Sequence, residues 1–196
     1  GSALYGALEH VTAADFKAAL ERTERRIDFL INLIAGRLGL DHDRVLGSRY
    51  SFPLMARYLD VRQGRLVDHR ERDRLLFWYI HTFLWGRYSS ATETVLAQDL
   101  TTIVEPGDAL ERLIVQLRQQ RGDLRVHAED FLGASRGARF YPLLYMLTRV
   151  WQARDLDTGN PLASHMLGVM SQLEVHHIFP KKLLRDHGHR VADRNA

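Results

Sequence analysis

The chain has 196 residues, 45% of them hydrophobic and 26% charged, which matches a soluble globular protein with one sizeable core. It contains no cysteine, so disulfide scaffolds and thiolate zinc sites are excluded and a cytoplasmic location is expected. Basic residues outnumber acidic ones by only 27 to 24, and lysine occurs only at Lys17, Lys181 and Lys182, so the mild positive balance is compatible with nucleic acid without requiring it.

No apolar run is long enough to span a bilayer and no signal pattern opens the chain, so no membrane partner is expected. Gly1-Ser2 reads as a scar of tag removal, and residues 1–11 as a lead-in. Thr12 and Asp15 then have the spacing of a helix cap, and Phe16, Leu20, Ile27, Leu30, Ile31, Ile34 and Leu38 form one apolar stripe that ends at Gly39. Ser51-Phe52-Pro53 opens a second helix that runs towards Gly64. Asp68 caps a third, whose run Leu75–Ile80 with Phe83-Leu84-Trp85 is apolar almost all round, so it is expected to be the most buried.

After Gly86-Arg87-Tyr88-Ser89, a helix carrying Val95, Leu96, Leu100 and Ile103 is broken by Glu105-Pro106-Gly107. Arg87 is expected to pair with Glu93 or to cap helix carbonyls. Asp108 starts the next helix, with Leu110, Leu113, Ile114 and Leu117 on one face. Phe140 to Arg154 is expected to be helical with Phe140, Leu143, Leu144, Leu147, Val150 and Trp151 inward, and Asp155–Pro161 is a turn. Beyond it, Leu162 to Met170 reads as a short helix, residues 172–179 as the best strand candidate in the chain, and Pro180-Lys181-Lys182 as a helix opening. The fold class is therefore mainly α, a bundle-like helical body over residues 12–170 followed by a different segment over 171–196.

That last segment holds the densest chemistry, Leu173-Glu174-Val175-His176-His177-Ile178-Phe179-Pro180-Lys181-Lys182. An imidazole can bind a divalent cation, and a second can take a proton from water because its ordinary pKa lies near neutrality. Strand alternation puts Glu174 and His176 on one face, where they either share a hard cation or the carboxylate orients the histidine. His177 projects to the other face of a regular strand, so both imidazoles serve one phosphate only if the strand ends or bends there. Lys181, Lys182 and Arg185 at the following helix start are candidates for contacting DNA phosphates. His187, His189 and Asp186 read as a solvated loop, the Trp78, Tyr79 and Trp85 cluster as core, and Arg118, Arg121, Arg125, Arg136 and Arg139 as scattered surface arginines.

Leu173–Lys181 resembles the first motif of HNH endonucleases, the ββα-metal or His-Me finger class. More narrowly, the chain is similar to the C-terminal half of GmrSD-type restriction proteins, through Gly86-Arg87-Tyr88-Ser89, Phe140-Tyr141-Pro142-Leu143-Leu144 and Asp157-Thr158-Gly159 in addition. The resemblance implies a metal-dependent DNA endonuclease of a prokaryotic anti-phage restriction system, with His176 as metal ligand, His177 as general base, and Mg²⁺ or Mn²⁺ as the cation. It also implies a separate N-terminal nucleotide-hydrolysing domain as partner. The family's second motif is an asparagine before a short apolar run, expected beyond Ala196, and its third motif is absent, so residues 171–196 read as an incomplete ββα-metal segment that is inactive alone. The competing expectation is a non-catalytic helical module for DNA binding or interdomain and protein interaction.

Overall fold

Thr12 starts the first helix as its sequence predicts. Its Oγ accepts the Asp15 N–H at 3.1 Å and donates to the Asp15 carboxylate at 2.6 Å, so an otherwise unpaired helix N–H is satisfied. Helix α1 (Ala13–Leu38) then runs 26 residues to Gly39, whose left-handed backbone (φ 68°) returns its N–H to the Ala35 carbonyl. A side chain could not stand at Gly39, because a Cβ there would lie 2.6 Å from Cγ of Arg149. The computed structural model describes residues 6, 9–132, 138–156, 158–162 and 181–189.

The remaining helices are α2 (Ser51–Val61), α3 (His69–Leu84), α4 (Thr92–Val104), α5 (Ala109–Arg121), α6 (Tyr141–Val150) and the short α7 (Lys181–Asp186), with a 3₁₀ turn at Ala128–Phe131. Asp68 and Asp108 cap α3 and α5 by accepting the Glu71 and Glu111 N–H groups at 2.8 and 3.0 Å. Helix α2 packs against α1 and α4, α5 against α3 and α4, and α6 against α1. No strand occurs among the described residues; a single antiparallel bridge joins Arg154 to Pro161 across the expected turn. Thus the fold is mainly helical, and no described helix is long and apolar enough to cross a membrane.

The core is centred on α2 and α3. Leu54, Met55 and Leu59 from α2 meet Leu75, Trp78, Tyr79 and Leu84 from α3, all of them almost completely buried, with Leu30 and Ile34 of α1 and Leu110, Leu113 and Leu117 of α5 closing the sides. Tyr79 packs edge-on against both Phe52 and Phe83, and its hydroxyl donates to the Gly47 carbonyl at 3.1 Å, so the ring is used for packing and the polar tip is satisfied. The apolar helix is therefore central, as expected, and Trp78 and Tyr79 are core residues.

Three expectations are corrected. Of the stripe of α1 only Leu30 and Ile34 are buried: Phe16, Leu20 and Ile31 are 56%, 49% and 40% exposed. The face that α4 turns inward carries Asp99 and Thr102 beside Ile103, whereas Leu100 is exposed. Helix α6 is shorter than its apolar spacing implies. It ends where Gln152 enters the left-handed region (φ 50°), which leaves Val150 and Trp151 outside at 62% and 74% exposure and makes Tyr145 the buried anchor. The expected helix over 162–170, apart from Leu162, and the expected strand over 172–179 lie outside the described residues.

Leu59→Ala removes a fully buried side chain and should lower the unfolding free energy by ~2–5 kcal/mol in urea denaturation, whereas Leu20→Ala should stay within ~0.5 kcal/mol.

Candidate functional site

Of the residues expected to carry chemistry, Glu174, His176 and His177 lie outside the described residues. Lys181 is the first residue of α7. Lys182 and Arg185 are exposed on that helix, Arg185 with its Nε 3.9 Å from the Asp186 carboxylate, and His187 and His189 are exposed just beyond it. The other functional geometry is in the helical body, around Gly86-Arg87-Tyr88-Ser89, where α3 hands over to α4.

Arg87 does not pair with Glu93 or cap a helix. It turns inward to Asp99, which is completely buried, while Arg87 itself is 4% exposed. The guanidinium grips the carboxylate with both Nε (2.7 Å to Oδ2) and Nη2, and Tyr88 OH donates to the same Oδ2 at 2.7 Å. The remaining donors reach Gln120 (3.0 Å) and Gln116 (3.1 Å) on α5, and Gln116 in turn donates to Thr102 Oγ1 at 2.9 Å. Burial alone would pull the Arg87 pKa down, but the hydrogen bonds and charge of Asp99 outweigh it and the net shift is upward. Burial, reinforced by the Asp99 charge, pushes the Tyr88 hydroxyl well up, so it stays a donor. This is a fork-to-fork buried ion pair with two further donors satisfied by Gln116 and Gln120, the kind of condition under which such a pair is tolerated.

A second polar knot holds α6 to the loop after α1. Tyr145 OH donates to Asp41 at 2.7 Å and accepts from Arg149 Nη2 at 2.5 Å, and another Arg149 nitrogen donates to the Leu162 carbonyl. Burial pushes the Tyr145 hydroxyl up to about 12, again keeping its proton in place for Asp41. His42 stands edge-on to the Tyr145 ring, its pKa lowered by burial.

These two knots fix the walls of a cleft of about 380 Å³. One wall is Arg44, Gly47 and Ser48. The floor is Thr82 and Phe83. The far side is Gly86, Tyr88 and Ser89 with Ala138, Arg139 and Pro142. Two of the stretches singled out in the sequence, residues 86–89 and 140–144, therefore contribute to one cavity. A larger cavity of about 720 Å³ lies between the α2–α3 loop and the α4–α5 turn, but apart from Arg70 its charges are committed to partners. There Glu71 accepts from Tyr58 OH and the Val67 N–H and lies 2.9 Å from Arg62, while Arg74 holds Asp108 (2.8 Å) and Glu111 (3.0 Å). It is a clasp between helices rather than a receptor. The smaller cleft has two guanidinium groups and no carboxylate among its lining residues.

Beside the cleft, His81 is buried with its Nδ1 accepting the Trp85 indole N–H at 2.9 Å, and Trp85 lies under the Arg121 guanidinium, 4.4 Å from the ring centre. The acceptor role of Nδ1 places the proton of the neutral ring on Nε2. Burial pushes the His81 pKa down to about 4. Comparison with protein-family models, curated proteins and solved structures returned no match.

Asp99→Ala strands the Arg87 charge in the interior and should cost ~3–5 kcal/mol of stability by denaturant titration. Burial disfavours the charged form of His81, so the native state binds fewer protons than the unfolded chain between its folded pKa of about 4 and the ordinary value of 6.5. Its contribution is present above pH 6.5 and is lost as the pH falls towards 4. Thermal melts should thus show an acid-side loss across that window that is smaller in His81→Gln.

Proposed function

We propose that this chain is part of a metal-dependent HNH DNA endonuclease of a prokaryotic restriction system, in which the helical body carries and orients the segment Leu173–Lys182. The reading is carried by that segment: a carboxylate, two adjacent histidines, an apolar pair and a proline in immediate succession, followed by a helix at Lys181–Asp186. The donor set of Glu174 and His176, one carboxylate and one imidazole, fits a divalent cation such as Mg²⁺ or Mn²⁺. When bound, such a cation would neutralise charge on the scissile phosphate and its leaving oxygen.

The remaining work falls to the chain's own residues. His176 holds its ring for the cation, with Glu174 as co-ligand or orienting partner. A nitrogen of His177 takes the proton of a water whose oxygen attacks phosphorus, and the bond to the leaving oxygen breaks. Lys182 and Arg185, both exposed on α7, with Lys181 at its start, would bear on phosphates flanking the scissile one. The nucleotide-hydrolysing partner domain belongs to the same proposal. The cation-lined cleft favours a second reading, in which the helical body is itself a binding module without catalysis.

In the protein carrying the whole nuclease domain, His177→Ala should slow Mg²⁺- or Mn²⁺-dependent cleavage of plasmid DNA by ~100-fold or more, the usual contribution of a general base. Undiminished cleavage by that variant would overturn the assignment.

A further inference from the structure

The cleft at the foot of α3 is built as an anion receptor. Arg44 and Arg139 reach it from distant parts of the chain, and neither guanidinium makes a hydrogen bond or ion pair with any described residue. That sets them apart from the arginines of the body that are committed: Arg62, Arg74, Arg87, Arg112 and Arg149 all hold carboxylates or carbonyls. Two cations sharing one concavity with no anion among the lining residues repel each other unless a ligand neutralises them.

Ser48, on the wall beside Arg44, supplies a matching donor. A hydroxyl chain runs from Ser48 through Ser51 to Thr82, with Oγ–Oγ distances of 3.0 and 2.7 Å, and Thr82 Oγ1 lies 2.6 Å from the Tyr79 carbonyl. Each hydroxyl has one hydrogen, so the chain can direct its last donor inward at that carbonyl or outward at Ser48. An anion in the cleft selects the outward arrangement, in which Ser51 donates to Ser48 and the Ser48 hydrogen faces the ligand. Ser48 is held for this in the left-handed region (φ 36°), a conformation rare for a residue with a side chain and one that gathers at binding sites. Gly86 completes the cradle. The Arg139 guanidinium lies across it, Nη1 only 2.7 Å from where a Cβ would stand, so glycine (φ 60°) is what lets that cation sit down in the cleft.

We infer that this cleft binds a phosphate group through Arg44, Arg139 and the Ser48 hydroxyl. Guanidinium forks match phosphate oxygens, and two uncompensated cations favour a multiply charged group over a single carboxylate. At about 380 Å³ the cleft has room for more than a bare ion, so the phosphate belongs to a larger molecule, either a free nucleotide or a nucleic-acid backbone. The site uses none of Glu174, His176 or His177 and stands independently of the nuclease reading.

The test measures binding to the whole chain without added metal, using pyrophosphate and ATP by calorimetry and a short DNA duplex by fluorescence anisotropy across a salt series. Arg44→Gln and Arg139→Gln should each weaken binding by about tenfold, the size of a lost charge-assisted hydrogen bond. Arg25→Gln, an exposed arginine on α1, is the control and should change little. Weakened ATP and pyrophosphate binding with unchanged DNA binding identifies a nucleotide. Weakened DNA binding with a salt slope flatter by about 1 per arginine identifies backbone phosphates. The inference is overturned if wild type binds none of the probes, if both cleft variants bind them as tightly as wild type, or if the control loses as much as they do. Both side chains are exposed, so unchanged melting temperatures should accompany the losses. Cleavage is not read, so a failure here leaves His177 untouched and the converse also holds.

Discussion

The Arg87–Asp99 pair is the interaction on which the rest of the helical body depends. Two full charges are taken out of water, at 4% and 0% exposure, in a place where apolar side chains would have served stability as well. What hydrophobic packing does not provide is direction. The fork of Arg87 meets one carboxylate in one plane, Tyr88 completes the same oxygen, and Gln116 and Gln120 meet the donors that remain. Helices α3, α4 and α5 are thereby held at one mutual setting, and the four residues between α3 and α4 are placed rather than merely tethered.

The consequence is felt at the surface. Gly86 and Ser89 flank the buried pair and face the cleft, so the interior network sets the geometry of its wall. The Asp41–Tyr145–Arg149 knot does the same on the other side, since it joins the loop that carries Arg44 and Ser48 to the helix that follows Arg139. A concavity whose two walls are each tied down by a satisfied polar network is a preorganised one. Its arginines, unpaired among the described residues, need not wait for the backbone to arrange itself, and little ordering entropy stands against a ligand.

How much of this is legible in the sequence follows from the kind of interaction. Caps are local, so Thr12, Asp68 and Asp108 announce their helices, and the apolar run of α3 announces the centre. Periodicity fails where the buried face is polar: Asp99 and Thr102 look like solvent residues, and only Arg87 directly after a buried helix, with Gln116 and Gln120 one turn apart, hints at the partner they share. It fails again at Trp151, where an apolar stripe continues past a helix that Gln152 ends. The cleft has no local signal, because Arg44 and Arg139 meet only through the tertiary fold. The histidine doublet is the opposite case, a pattern whose proposed chemistry rests on residue types alone.

That contrast bears on how body and doublet relate. Among the described residues the buried core extends from Leu30 to Tyr145, and every element that closes it precedes residue 151. Among the described residues, stability is thus concentrated between residues 30 and 145. On the nuclease reading, the chemistry proposed for residues 173–182 uses none of these core side chains. The proposed phosphate-binding cleft likewise shares no side chain with that segment. On the nuclease reading, a protein that holds a long polyanion against a reactive centre benefits from that division, because grip and reaction draw on different residues and each can be strengthened without distorting the other.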